Sequence, residues 1–243
     1  MNLVIDIGNT LVKMAVFQDA TLLKKKTSLR QDFFKNLEEI FQNYPNITHS
    51  LLSVVGKTPA KLEEKLREKT ILITMDRELP QVFKNKYATP NTLGQDRIAL
   101  VSAASKLYAQ QNVLIIDAGT CITYDILNSQ NEYYGGAISP GLHMRYKAMH
   151  TFTEKLPLLE PEEEVSLTGN STRGSMHSGV IFGITAEIDG IIDAYRAQYK
   201  ELTVILTGGD AQFLCKRLKN SIFANSNFLL EGLNNILEFN KPQ

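Results

Sequence analysis

Two stretches of the sequence have the same order of residue types. The first is VIDIGNTLVKMAVF, near the start of the chain, and the second is LIIDAGTCITYDIL, about halfway along. In each, an apolar run ends at an aspartate, a turn containing glycine and threonine follows, and a run of β-forming residues comes next. Because the two aspartates, Asp6 and Asp117, are separated by nearly half of the chain, the repeat predicts two copies of one domain.

The first half of the chain alternates between strand-like and helix-like segments. Apolar residues at helical spacing predict a helix over 32–43, and a surface helix is predicted over 59–69. Two short apolar runs, LLSVVG and ILITM, lie on either side of the second helix and predict buried strands. This alternation is typical of an α/β domain with a partly parallel sheet. A polar loop then leads to a third helix, where Thr92 and Gln95 have the spacing of a capping box.

The second half repeats the hairpin and then adds segments of its own. A GGAISPG loop is followed by the acidic run EPEEE, which we expect to be solvated, and by a long helix over 175–199. We attribute Gly179 and Gly183 to close packing of this helix on a sheet or another helix, because acidic residues in the same segment exclude a membrane dimer. The two predicted domains span 1–111 and 112–243.

Composition narrows the class of protein. The 243 residues are 43% hydrophobic, which is enough for a core, and 26 Lys and Arg balance 26 Asp and Glu. A dedicated nucleic-acid binder normally has an excess of basic residues, so we do not expect a nucleic acid as a partner. No apolar stretch approaches the ~18 residues of a membrane span, and the N-terminal segment differs from a signal peptide. We therefore expect a soluble cytoplasmic protein.

The cysteines and histidines do not form a recognisable site. Cys121 and Cys215 are far apart and lack the C-x-x-C spacing, which indicates a reducing compartment and argues against a zinc site. The four histidines have no ligand spacing and no evident Ser or Cys partner, so they are predicted to be structural or exposed. His177 lies within the segment STRGSMHSG.

The two acidic turns carry groups that suit a phosphate ligand. Gly8 and Gly119 allow the backbone to approach a ligand closely. Asn9, Thr10 and Thr120, together with the turn amides, can donate hydrogen bonds to phosphate oxygens. An acidic turn alone is also an ordinary use of Asp and Gly. Two copies at equivalent places favour a ligand.

The aspartates require a cation if the ligand is a phosphate. Asp6 and Asp117 would repel phosphate directly, so a Mg²⁺ ion with its waters, or a monovalent ion, is expected between them. Lys13 can neutralise further phosphate charge. The chain contains no G-x-x-x-x-G-K-[ST] motif, so any nucleotide is held by another architecture. The segment LTGGDA adds Gly208 and Gly209, against which an adenosine can lie flat.

These turns resemble the phosphate-1, phosphate-2 and adenosine motifs of the superfamily that includes actin, sugar kinases and heat-shock ATPases. Within that superfamily, the chain is similar to type III pantothenate kinases over essentially its whole length. The matching motifs are DIGNT at 6–10, GQDR at 94–97, DAGT at 117–120, GGAISPGL at 135–142, STRGSMHSG at 171–179 and LTGGDA at 206–211.

The resemblance implies a fold and a reaction. The fold would be α/β, with two duplicated actin-like (ribonuclease H-like) domains and a nucleotide cleft between them. The reaction would be ATP-dependent phosphorylation of pantothenate to 4′-phosphopantothenate, the first step of coenzyme A biosynthesis. The resemblance further implies a requirement for K⁺ or NH₄⁺, and a homodimer with the site near the subunit interface.

The resemblance also implies roles for individual residues. ATP would contact Asp6, Ile7, Gly8, Asn9, Thr10, Leu11, Val12, Lys13 and Thr120. Pantothenate would contact Tyr87, Gly94, Gln95, Asp96, Arg97 and Thr172. Asp96 would be the proton acceptor, and Asp117 would be the K⁺ ligand. The sequence leaves open whether Ser171 or Thr172 is the hydroxyl that reaches the substrate.

Two of these residues can be judged from their chemistry alone. Asp96 lies in the first turn of a predicted helix, where a negative charge suits the helix dipole, so it could equally be a helix-start acid. The positive charge of Arg97 at this end of the helix is unfavourable by ~0.3–1 kcal/mol. A carboxylate or phosphate bound to Arg97 would make the interaction favourable. Pantothenate carries a carboxylate and ATP carries phosphates.

Two other functions remain open at this point. One is a different kinase of the superfamily, such as a sugar or acetate kinase, although those are usually longer and lack GQDR followed by DAGT. The other is a non-catalytic regulatory relative that binds nucleic acid or a protein. The zero net charge and the presence of Asp6, Asp96, Asp117 and Thr120 argue against it.

Overall fold

The computed structural model describes residues 1–8, 11–54, 61–76 and 78–241. The chain packs as two units, one formed by Met1–Leu107 with Asn227–Gln243 and the other by Tyr108–Ser226. Among the described residues, no helix has both the length and the apolar character that crossing a bilayer requires.

The helices and strands alternate along the chain. Up to residue 107 they are β1 (Asn2–Ile7), β2 (Leu11–Gln18), β3 (Thr21–Leu29), α1 (Phe33–Asn43), β4 (His49–Val54), α2 (Leu62–Lys69), β5 (Ile71–Thr74), β6 (Lys84–Asn85) and α3 (Gln95–Leu107). Beyond it they are β7 (Val113–Ala118), β8 (Cys121–Leu127), β9 (Glu132–Pro140), α4 (Leu142–Thr151), α5 (Thr172–Gln198), β10 (Thr203–Thr207), α6 (Ala211–Cys215), β11 (Phe223–Ala224) and α7 (Phe228–Phe239).

The sheet of the first unit has the strand order β3-β2-β1-β4-β5. The pairs β1–β2 and β2–β3 are antiparallel, whereas β1–β4 and β4–β5 are parallel. All six residues of β1 are buried, as expected for a central strand with both faces covered. Leu3, Ile5 and Ile7 join one apolar cluster with α1, so by alternation Asp6 lies on the opposite face of the sheet.

The second unit repeats this arrangement strand for strand. Its strands run in the order β9-β8-β7-β10-β11. Again the two hairpin pairs are antiparallel and the two crossover pairs are parallel. Consequently β7 corresponds to β1, and Asp117 is the counterpart of Asp6. The predicted duplication of an α/β domain is confirmed at the level of topology.

The last helix does not pack where the predicted division at 1–111 and 112–243 would put it. Helix α7 follows β11 in the chain, but it packs on α3 and on β1. Gly232 of α7 allows a very close crossing, because a Cβ atom there would lie 2.6 Å from the carbonyl carbon of Ala99 in α3. The units therefore differ from the predicted domains by this C-terminal segment and by residues 108–111, which belong to the second unit.

One local prediction fails. The capping box does not form, because the Thr92 hydroxyl donates to the Thr89 carbonyl and the Gln95 side chain bonds to β4 and to the residue after β5. The attribution of Gly179 and Gly183 to close packing of α5 stays a prediction. Among the described residues, no atom lies within 4 Å of a Cβ built on either glycine.

We expect Gly232→Ala to lower the free energy of unfolding by about 1–3 kcal/mol, because the added methyl group meets the α3 backbone. The fall in Tm should be roughly 2–12 °C, measured by differential scanning calorimetry. Gly190→Ala is the matched control, since no atom of the part of the chain that the structure describes lies within 4 Å of its Cβ position in α5. That change should stabilise by about 0.5–1 kcal/mol. Equal Tm values for the two variants would contradict the close crossing of α3 and α7.

Candidate active site

Asp6 is a buried carboxylate near the end of β1. It is 6% exposed, and its neighbours in register are Lys13 on β2 and Ser53 on β4. Burial raises the pKa of Asp6 from 3.8 to about 6; the Lys13 charge opposes the rise, and the Asp96 carboxylate adds to it. The carboxylates of Asp6 and Asp96 and the ammonium group of Lys13 thus lie near one another in the first unit, although Asp96 is distant in sequence.

The turn after Asp6 is held from two sides. The Gly8 N–H donates to the Leu11 carbonyl at 3.0 Å, and Arg30, just after β3, donates from Nη2 to the Gly8 carbonyl at 2.9 Å. The sequence analysis did not single out Arg30, because only the β-sheet brings it to this turn. Asn9 and Thr10 lie outside the described residues.

Not every predicted ATP residue has a side chain available to a ligand. The side chains of Ile7 and Val12 are buried in the apolar core, whereas Leu11 is exposed. At Ile7 and Val12 only the backbone is suited to a polar ligand.

The N-terminus of α3 brings the GQDR segment to the same sheet. Gln95 Oε1 accepts from the Val54 N–H and from Ser53 Oγ, and Gln95 Nε2 donates to the Met75 carbonyl. The next residue, Asp96, is half-buried, and its Oδ1 accepts the Arg97 N–H at 2.8 Å. This hydrogen bond limits rotation of the Asp96 carboxylate in the first turn of the helix.

Arg97 is buried to an extent that is uncommon for arginine. It is 5% exposed, and its guanidinium carbon lies 5.6 Å from the centre of the Tyr87 ring. An aromatic ring at this distance favours a cation over its face. Two predicted substrate residues, from the loop and from α3, are therefore neighbours.

The second acidic turn is enclosed by glycines. The Gly119 N–H donates to the Cys121 carbonyl at 3.0 Å, and the Gly141 N–H donates to the Thr120 carbonyl at 3.2 Å. Gly208 has φ +98°, and a Cβ there would lie 2.5 Å from Asp117 Oδ1. Gly208 is thus required both by its backbone angle and by the approach of the TGGD turn to Asp117. A Cβ built on Gly209, by contrast, would have none of the described atoms within 4 Å.

Thr172 is the first residue of α5, and Ser171 caps that helix. Ser171 Oγ accepts the Gly174 N–H at 3.1 Å. The Ser171 hydroxyl thus has a structural role, and Thr172, which is exposed, is the better placed of the two for a ligand.

The loop before α5 is held by the acidic run. Glu162 Oε1 lies 2.8 Å from Arg173 Nη2, and Glu163 lies 3.1 Å from Arg217. Glu160 Oε2 lies 3.2 Å from His143 Nδ1. These three side chains remain 44–79% exposed, so the run is solvated as expected, and it also contacts basic residues.

His177 is structural, as predicted for the histidines. It is buried, and its Nδ1 lies 2.8 Å from the Tyr146 hydroxyl.

Comparison with known proteins gives the family. The family model described as type III pantothenate kinase matches residues 2–194. The chain belongs to the type III pantothenate kinase family. A type III pantothenate kinase from Christiangramia forsetii is 55% identical over 243 residues, covering 100% of both chains. Another, from Flavobacterium psychrophilum, is 46% identical and covers 99% of this chain and 100% of its own.

Solved structures show that this member of the family has an actin-like, two-domain fold. A conserved protein assigned to the Baf family of transcriptional activators, from Campylobacter jejuni, has a TM-score of 0.64 at 24% identity, covering 98% of both chains. A glucokinase from an Antarctic psychrotroph has a TM-score of 0.53 at 14% identity, again covering 98% of both. At these identities the likeness concerns the fold alone. The predicted fold class is confirmed.

The donor groups fit metal ions that are shared with a nucleotide. Within the described ranges no group of three or more His, Cys, Asp or Glu side chains could hold a metal ion. Mg²⁺ is commonly held by one or two carboxylates with substrate phosphates and water, which suits Asp6. Asp117, half-buried at a turn, offers carboxylate oxygen, a hard donor that is suitable for K⁺.

We expect Asp6→Asn to stabilise the ligand-free protein above pH 6. The folded pKa of Asp6 is raised, so its contribution to stability is fully present below pH 3.8 and is lost as the pH rises through about 6. The asparagine variant should therefore gain roughly 3 kcal/mol relative to wild type at pH 8, and little at pH 3.5. Urea unfolding at a series of pH values measures the difference. Asp32→Asn, an exposed aspartate of the same unit, is the control, and a pH-independent difference for Asp6→Asn would contradict the burial effect.

Proposed function

We propose that this protein phosphorylates pantothenate at the expense of ATP, giving 4′-phosphopantothenate, the first step of coenzyme A biosynthesis. The observation that carries the proposal is the grouping of Asp6, Lys13 and Asp96 in one unit of a chain that belongs to this family. We place the enzyme in the cytoplasm, in agreement with its two free cysteines.

ATP is proposed to contact residues Asp6–Lys13 and Thr120, which belong to the two acidic turns. The turn N–H groups and Lys13 offset the negative charge of the phosphates. Bound Mg²⁺ would neutralise phosphate charge during transfer, and Asp6 would hold it through oxygen or water.

Asp96 is the proposed proton acceptor for the pantothenate hydroxyl. Phosphoryl transfer passes through a loose transition state in most analyses, so little proton transfer has occurred by then. A carboxylate within hydrogen-bond reach of the hydroxyl is then sufficient. The hydrogen bond from the Arg97 N–H fixes the orientation that the carboxylate needs.

The substrate contacts are proposed to be Tyr87, residues Gly94–Arg97, and Thr172. Arg97 is the group in this set that can neutralise the pantothenate carboxylate or an ATP phosphate. Its burial beside Tyr87 means that such a bond would form with little water around it, where it is stronger than at the surface.

A monovalent cation and a second copy of the chain complete the proposal. K⁺ or NH₄⁺ would be held at Asp117. The homodimer is supported by the outer face of α5, where Gly179 and Gly183 have open space at their Cβ positions and Phe182 between them is exposed. Small residues on a helix allow a second helix to approach closely, and nothing within the described part of the chain uses this face.

ADP release from Mg²⁺-ATP, with and without pantothenate, tests the reaction directly. We expect release that depends on pantothenate and is at least several-fold faster in K⁺ buffer than in Na⁺ buffer. Equal rates in the two buffers would contradict the proposed K⁺ site at Asp117. No pantothenate-dependent release in either buffer would reject the kinase function.

Replacement of Asp96 tests its role. Asp96→Asn should lower kcat by about 10²–10⁴-fold, because an amide can neither orient the pantothenate hydroxyl as an acceptor carboxylate does nor take up its proton. The KM for ATP should change little, because Asp96 is not proposed to contact the nucleotide. Steady-state kinetics with each substrate varied in turn gives both values. An asparagine variant with near-normal kcat would exclude Asp96 as the base.

A bulky residue at Gly183 tests the proposed interface. Gly183→Leu should convert the dimer to a monomer, because the side chain would fill the space that the partner helix needs. Light scattering coupled to size-exclusion chromatography measures the mass. Glu201→Leu, at the left-handed turn after α5, is a surface control. A wild-type monomer, or a Gly183→Leu dimer, would count against this face as the interface.

A further inference from the structure

Gln95 is the residue of the GQDR segment whose side chain is already committed within the protein. Its Oε1 accepts two hydrogen bonds, from the Val54 N–H and from Ser53 Oγ, each 3.2 Å long. Its Nε2 donates one, to the Met75 carbonyl, at 2.6 Å. A glutamine amide can accept two hydrogen bonds and donate two. Three of its four positions are therefore occupied by the sheet.

The partners of Gln95 are the ends of two parallel strands. Val54 is the last residue of β4, and Met75 directly follows β5. The Val54 N–H and the Met75 carbonyl are backbone groups at the edge of the ladder, and each needs a partner when it is shielded from water. One side chain satisfies both, and it thereby fixes the first turn of α3 against two strands.

Fixing α3 also fixes Asp96. Ser53, which donates to Gln95, is the register partner of Asp6 on the adjacent strand. The two proposed functional carboxylates are thus linked through Ser53 and Gln95, and the Asp96 carboxylate is close enough to Asp6 to act on it electrostatically. A shift of α3 along the strand ends would move Asp96 while leaving Asp6 in place.

We propose that Gln95 is a positioning residue: its amide holds the start of α3 on β4 and β5, so that Asp96 is within reach of the substrate hydroxyl. The role rests on the proposed kinase function, and it leaves only the backbone of Gln95 for the substrate contact proposed above. Misplacement of a catalytic group by about 1 Å can reduce the rate by about 100-fold. Loss of the Gln95 amide should therefore act on kcat, and only slightly on the affinity for pantothenate.

The test compares two variants that break the same link from opposite ends. Gln95→Met keeps the length of the side chain and removes its hydrogen bonds, and Ser53→Ala removes one partner hydroxyl. We expect kcat to fall by about 10- to 100-fold for Gln95→Met and by less for Ser53→Ala. Titration calorimetry should give a pantothenate Kd within about twofold of wild type for both. The double variant should be no slower than Gln95→Met alone, because the two changes remove one shared interaction.

Ser50→Ala is the matched control. Ser50 is a buried serine of the same strand that hydrogen-bonds with Thr70, away from Gln95. Its replacement should lower Tm without lowering kcat, which separates positioning from general destabilisation.

The outcomes distinguish the two proposals. A pantothenate Kd that rises in parallel with the loss of activity in Gln95→Met would establish a substrate contact and overturn the positioning role. So would an unchanged kcat, or fully additive effects in the double variant. A wild-type protein without pantothenate-dependent turnover would reject the kinase function itself, and the positioning role with it.

Discussion

The central strand of the first unit carries an ionisable group, and burial disfavours the charged form of that group. The Asp6 carboxylate lies at the end of a strand whose six residues are all buried, and burial raises its pKa to about 6. Lys13 provides one compensating charge from the paired strand, while Asp96 adds a second negative charge. Such an arrangement disfavours the ionised form of Asp6 in the free protein, and a cation bound nearby would favour it. Hydrogen bonding of β1 on both sides keeps Asp6 in place despite this cost.

The two halves of the fold share a topology but support their acidic turns differently. In the first unit Arg30 reaches the Gly8 carbonyl from the end of β3. In the second unit two glycines take that supporting part, with Gly141 bonded to Thr120 and Gly208 packed against Asp117. Duplication therefore accounts for the position of each acidic turn, and different residues support each turn.

Much of the fold could be predicted because its central strands are continuous apolar runs that end at Asp and Gly. The strands β1, β4, β7 and β10 and the turns after β1 and β7 follow from local sequence. The partner of α7 could not be predicted, since an apolar helix face shows that the helix is buried but not which sheet covers it. The contacts of Glu160, Glu162 and Glu163 with basic residues likewise depend on partners that only the folded chain brings near.

The candidate site shows the same division. The acidic turns and the GQDR segment can be found as motifs, because the residues that form each of them are adjacent in the sequence. The spacing of Thr92 and Gln95 is equally suggestive of a capping box. In the structure, however, the Gln95 amide forms its hydrogen bonds with backbone groups at the ends of two strands. Local hydrogen-bonding rules cannot rank a nearby partner against one that tertiary structure supplies.

The position of α7 has a consequence for the order in which this protein acquires its structure during synthesis. The sheet that carries Asp6 precedes the second unit in the chain, whereas helix α7, which packs on that sheet, follows the whole second unit. The second unit is one continuous stretch of chain, so it can fold before α7 is synthesised. The first unit is completed only when α7 joins it, so enclosure of Asp6 has to wait until the second unit has been synthesised.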